Sequence, residues 1–93
     1  MSMYPDVVAL RKVRGSVTIA SIDAGASVTR TVTLDDTYLI VGVPKVETEN
    51  AEVELEIVNG GKNEFTFRAI NTNGSSAQSD VVVNYEVYVL RGV

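Results

Sequence analysis

The side chains with the most chemical potential are carboxylates: Glu47, Glu49, Glu52, Glu54 and Glu56 crowd one short stretch, with Asp35 and Asp36 upstream. Hard cations such as calcium are held by converging carboxylate oxygens, so this run is the first place to look for a metal. Its spacing speaks against one. Glu52, Glu54 and Glu56 alternate with Val53, Leu55 and Ile57, which in a strand sends the carboxylates to one solvated face and the apolar groups to the core. No loop carries the ligand spacing of a calcium site, and a row of evenly solvated glutamates does not supply the paired carboxyls of a glycosidase. Hydroxyls are abundant, yet the chain contains no His and no Cys. No serine stands in a GxSxG context, and nothing is left to activate a nucleophile. The absence of His, Cys and Trp also removes the ordinary groups for proton shuttling, thiol chemistry and transition-metal binding near neutral pH. Asn73, Gly74 and Ser75 match a glycosylation sequon, which is inert without a secretory signal. The expectation is a non-enzymatic chain with no catalytic residue, metal or cofactor, able to recognise, cement or cover.

Cations are few. Eight Lys and Arg against twelve Asp and Glu give a net charge of -4, and a phosphate backbone needs a basic face, so nucleic acid is not an expected partner. Arg11, Lys12 and Arg14 form one small cluster with two readings, a solvated strand edge or a contact with an acidic partner surface. Together with Tyr4 they are the candidate partner contacts of an amino-terminal arm. No apolar run approaches a membrane span, and residues 1–6 lack the charged and apolar regions of a signal peptide. Synthesis in a cytoplasm is the expectation.

The elements that would position these groups are strands. From Gly15 onward the chain follows a two-residue period, while residues 1–14 form an arm or edge strand, with residues 7–13 its candidate strand. Residues 16–34 predict a hairpin about a turn of Asp23, Ala24, Gly25 and Ala26, with Thr29, Thr31 and Thr33 facing water. Residues 38–46 are a nearly continuous apolar run that suits a strand covered on both faces, with pairing broken at Pro44, which has no amide donor. The glutamate strand follows, then a turn at Asn59, Gly60 and Gly61, then a strand whose Phe65, Phe67 and Ala69 face inward. Bringing Phe65 opposite Ile57 and Phe67 opposite Leu55 implies a loop of Gly60, Gly61 and Lys62 and sets Glu54 beside Arg68. Residues 71–80 are a polar connection, too poor in apolar groups to bury anything and long enough to cross between sheets.

The last strand, residues 81–90, is apolar on both sides. Val81, Val83, Tyr85, Val87 and Val89 make one face; Val82, Tyr88 and Leu90 make much of the other. The second set must be covered by the amino-terminal arm or by another subunit, so these three residues are the candidate oligomer interface. Ninety-three residues build a thin core with no disulfide to staple it, which also favours association. Six or seven short strands without a helical period specify an all-β, single-domain antiparallel β-sandwich over residues 15–93, with a small barrel as the alternative.

The order of the segments carries a resemblance. GSVTIASIDAGASVTRTVTL, a run ending in VGVPKVETEN, then NEFTFRAINTNGSS and VVVNYEVYVL resembles the small H-type-lectin-like β-sandwiches of tailed-bacteriophage virion proteins. Val43, Pro44, Lys45 and Val46, then Phe65, Phe67, Asn71 and Asn73, then Asn84 and Tyr85 hold the matching positions; members often carry Trp where Tyr85 stands. The resemblance implies a homotrimer on the outside of a virus particle, bound to the major capsid protein or to neighbouring subunits. Capsid decoration ranks ahead of a glycan-binding adhesion module of a tail fibre, because the chain begins at Met1 and holds no heptads or shaft repeats.

Overall fold

The computed structural model describes residues 9–91. Six strands follow in order: β1 Ala9–Ile22, β2 Ser27–Thr33, β3 Tyr38–Thr48, β4 Val53–Gly60, β5 Glu64–Asn71 and β6 Gln78–Arg91. They make two three-stranded antiparallel sheets, β1-β6-β3 and β2-β5-β4. The inward faces meet in one core. Ile19, Ile22, Val32, Val53, Phe65, Phe67, Ala69, Val81 and Val83 are buried there, with Val17, Val28, Leu34, Ile40, Val46, Leu55, Ile57 and Tyr85 packed around them. This is the β-sandwich that the alternation predicts.

Neighbours differ from the expectation where faces do not. β1 and β2 are not a hairpin: β1 pairs with β6 and β2 with β5. The turn at Asp23–Ala26 exists, closed by Ala26 N–H donating to the Asp23 carbonyl at 3.0 Å, with Gly25 at φ 69°, a conformation glycine adopts without a Cβ penalty. It carries the chain from one sheet to the other. Among the described residues only the β4–β5 connection joins strands of one sheet. Residues 9–14 continue β1 as an edge strand of the sandwich.

The β4–β5 register also differs. Leu55 pairs with Ala69, Glu56 with Arg68 and Ile57 with Phe67, then a bulge at Val58 puts Gly60 opposite Phe65. The loop is Gly61, Lys62 and Asn63, and the ion pair to Arg68 comes from Glu56, not Glu54. A shift of two residues leaves every side chain on its own face, so alternation alone does not choose between the registers. The loop contacts choose: Gly61 N–H donates to the Glu64 carbonyl at 2.8 Å, and the Asn63 and Lys62 carbonyls accept from Leu34 and Ile40 N–H at 2.8 and 2.7 Å. The hairpin tip is thereby tied to the β2–β3 crossing.

Two irregularities set the shape of the β1-β6-β3 sheet. Between Val41 and Lys45 the pairing of β3 with β6 shifts, at Gly42 with φ 77° and at a buried Pro44, as the missing amide requires. At the other end, Asp80 takes φ 50°, a region Asp tolerates. The Ala20–Asp80 pair drops out of the ladder and the facing alternation changes phase, so Ile19 and Ile22 are both fully buried.

Residues 71–80 do cross between sheets, yet not as an inert tip. Asn71 is 1% exposed. Its Nδ2 donates to the carbonyls of Ile22 at 3.1 Å, Asp23 at 3.2 Å and Ser76 at 2.9 Å, and its Oδ1 accepts from Asn73 N–H at 3.0 Å. One amide therefore locks the β1–β2 arch to the β5–β6 connection, satisfying backbone groups that burial would otherwise leave unpaired.

Candidate functional site

The outward face of the β1-β6-β3 sheet is built by the even-numbered residues of β1 and β6 and their β3 partners. Leu10 pairs with Leu90 and Leu90 with Leu39; Lys12 pairs with Tyr88 and Tyr88 with Val41. These pairings set three leucines in one cross-strand row and a tyrosine with a valine in the next, on one side of the sheet. Leu10 is 62% exposed, Leu39 45% and Tyr88 46%. Val43, in the irregular stretch of β3, is the most exposed large apolar residue of the described chain.

The candidate interface residues are thus partly brought together. Tyr88 and Leu90 lie side by side within this patch, whereas Val82 stands on the same face roughly 20 Å away along the strand, beyond Asn84 and Glu86. The expectation that residues 38–46 are covered on both faces does not hold within one chain. β3 is an edge strand with Leu39 and Val43 open to solvent. Leu10, Leu39 and Val41 had no visible link to Leu90 and Tyr88 in the sequence, because the link is the register of three strands distant in the chain.

The amino-terminal cations separate. Arg11 pairs with Val89, a buried residue, while Lys12 and Arg14 pair with Tyr88 and Glu86; the two-residue period puts Arg11 on the opposite side of the sheet. On the outer face Lys12 Nζ lies 3.0 Å and Arg14 Nε 3.2 Å from Glu86 Oε1. Lys12 also sits 5.4 Å from the centre of the Tyr88 ring, within cation–π range. The hydrogen bond from Lys12 is the foremost cause holding the Glu86 carboxyl below its ordinary pKa, and Glu86 in turn raises Lys12. All three charges are solvent-facing, so the triad orients the rim and adds little stability. Tyr4 lies outside the described residues.

Beside this rim an open hollow of about 500 Å³ is lined by Arg14, Gly15, Ser16, Lys45, Glu47, Asn84, Tyr85 and Glu86. Tyr85 is half-buried and packs edge-on against Phe65, with ring centres 5.6 Å apart at 69°. Its phenol occupies the space over Gly15, where a Cβ would collide with it; the glycine is there to admit the ring. Among the described residues no three His, Cys, Asp or Glu side chains converge as metal ligands. The glutamates of β4 stand on the outer face of the second sheet, Glu56 bound to Arg68 and Glu54 in no ion pair among the described residues. Glu52 is instead an anchor of the β5–β6 connection. Its Oε2 accepts from Asn73 Nδ2 at 2.7 Å and Gln78 Nε2 at 2.8 Å.

No family model, curated protein or solved structure matches the chain.

Proposed function

We propose that this chain is a non-enzymatic structural protein that assembles through the outward face of its β1-β6-β3 sheet, serving as a capsid decoration or cement protein of a bacteriophage virion. The observation that carries the assembly half is the Leu10–Leu90–Leu39 row with Tyr88 and Val41 beside it. An apolar strip of this kind, bordered by Lys12, Arg14, Glu86 and Lys45, has the apolar centre and polar rim of a protein–protein contact. The virion half, and the number three for the oligomer, rest on the order of segments that resembles phage β-sandwiches. Among the described residues no further element packs on this outward sheet face of the small sandwich.

A second reading, glycan-binding adhesion at a tail fibre, is favoured by the open hollow beside the rim, where Ser16, Asn84, Glu47 and Lys45 offer hydrogen-bond partners next to Tyr85. Reconstitution separates the two. Purified protein added to particles lacking it should bind and raise their resistance to heat or osmotic shock, because a cement that bridges neighbouring capsomers is a ligand for the assembled state. Equal rupture thresholds for coated and bare particles, together with saturable binding to host-surface glycans, would replace decoration with adhesion.

A further inference from the structure

The chain contains two Asn-Gly dipeptides, Asn59–Gly60 and Asn73–Gly74, and the fold treats them oppositely. In such a pair the glycine nitrogen can attack the asparagine side-chain carbonyl carbon, since glycine has no Cβ to obstruct the approach. We propose that Asn59 is a site of spontaneous deamidation in the folded protein and that Asn73 is locked against the same chemistry.

At the first site Gly60 N–H donates to Asn59 Oδ1 at 2.9 Å, which keeps the nitrogen next to the side-chain carbonyl with its hydrogen on the oxygen. Among the described residues cyclisation therefore has this one side-chain bond to break before the nitrogen turns to Cγ. Both residues are exposed. They follow the Val58 bulge at the end of β4, where the ladder register shifts, and a Cβ built on Gly60 meets nothing within 4 Å. Attack of Gly60 N on Asn59 Cγ forms a C–N bond, and the side-chain amide leaves as ammonia, taking up the proton that Gly60 N loses. The succinimide so formed is opened by water at either carbonyl, leaving aspartate or isoaspartate. At the second site every polar atom of the side chain is held. Asn73 Nδ2 donates to Glu52 Oε2 at 2.7 Å, and Oδ1 accepts from Ser75 N–H at 2.8 Å and Ser76 N–H at 3.0 Å. Cyclisation there must first break these bonds.

The product matters to the fold. One more carboxylate takes the net charge from -4 one step further negative, and isoaspartate inserts a methylene into the backbone next to the Gly60–Phe65 pair.

Incubating the folded protein at mildly alkaline pH and following both tryptic peptides by mass spectrometry tests the proposal. Asn59 should convert about tenfold faster than Asn73 or more, a factor equivalent to about 1.4 kcal/mol of hydrogen bonding given up. In denaturant the two rates should converge. Gly60→Ala should suppress conversion at Asn59, and Glu52→Ala should accelerate it at Asn73. Equal rates in the folded protein, a faster Asn73, or an Asn73 rate unmoved by Glu52→Ala would overturn the proposal.

Discussion

Asn71→Ala isolates the role of a single buried amide. The side chain donates to three carbonyls belonging to two different connections and accepts one further N–H. An amide has two hydrogens, so one of the three donations is shared. At about 1 kcal/mol net for each hydrogen bond, and somewhat more for carbonyls left buried and unpaired, the substitution should cost roughly 3–4 kcal/mol. A domain of 93 residues has on the order of 5–14 kcal/mol in total, so the loss is a large share of what holds the sandwich together. Asn71→Asp is the sharper form. It keeps the shape but turns an oxygen towards three carbonyl oxygens, so at neutral pH it should cost at least as much as alanine. Part of that cost should return as acid protonates the new carboxyl and restores a donor. Asn73→Ala, whose partners are solvent-exposed, should cost about 1 kcal/mol. Chemical denaturation at unchanged slope measures all three. Asn71→Ala and Asn71→Asp within about 1 kcal/mol of wild type would refute the claim that this amide locks the two connections.

Phe67→Ala, at a fully buried position between the sheets, should cost about 3–5 kcal/mol, while Glu54→Ala should change stability by less than about 1 kcal/mol. Equal denaturation midpoints for the two would overturn the assignment of faces. Gly15→Ala should cost about 1–3 kcal/mol because its Cβ displaces the Tyr85 phenol, and Tyr85→Leu in the same chain should recover much of that loss; an additive double variant would show no conflict between the two positions. Glu86 is held below its ordinary pKa by Lys12 and Arg14, so its contribution is present above the ordinary carboxylate range and lost as pH falls through the lowered value. Acid titration followed by circular dichroism should therefore show a slightly shallower loss of stability in Glu86→Gln than in wild type, and an identical acid limb would mean that the triad carries no linkage.

Alternation made the faces legible and left the neighbours open. Glu54 against Leu55, or Thr66 against Phe67, announces which side of a sheet a residue takes. Nothing in that pattern says whether the strand after Asp23–Ala26 returns to the same sheet or crosses to the other, since the same turn serves both. The β4–β5 register was invisible for a related reason: a displacement of two residues preserves every face, and the bulge at Val58 that permits it leaves no mark in composition. Asn71 was unreadable because it sits among Asn, Thr, Gly and Ser, where a buried amide and an exposed one look alike. Of the candidate assembly surface, Tyr88 and Leu90 were legible from a strand apolar on both sides. Leu10 and Leu39 joined them only through the β1-β6-β3 pairing.

The assembly claim is tested most directly by the mass of the protein in solution. Light scattering on wild type should give about three times the 10.0 kDa chain mass. Tyr88→Glu and Leu39→Glu, each placing a charge within the apolar patch, should shift the mass towards a single chain while the circular-dichroism spectrum stays that of a folded β-protein. One and the same mass for wild type and both variants, with all three folded, would contradict the account.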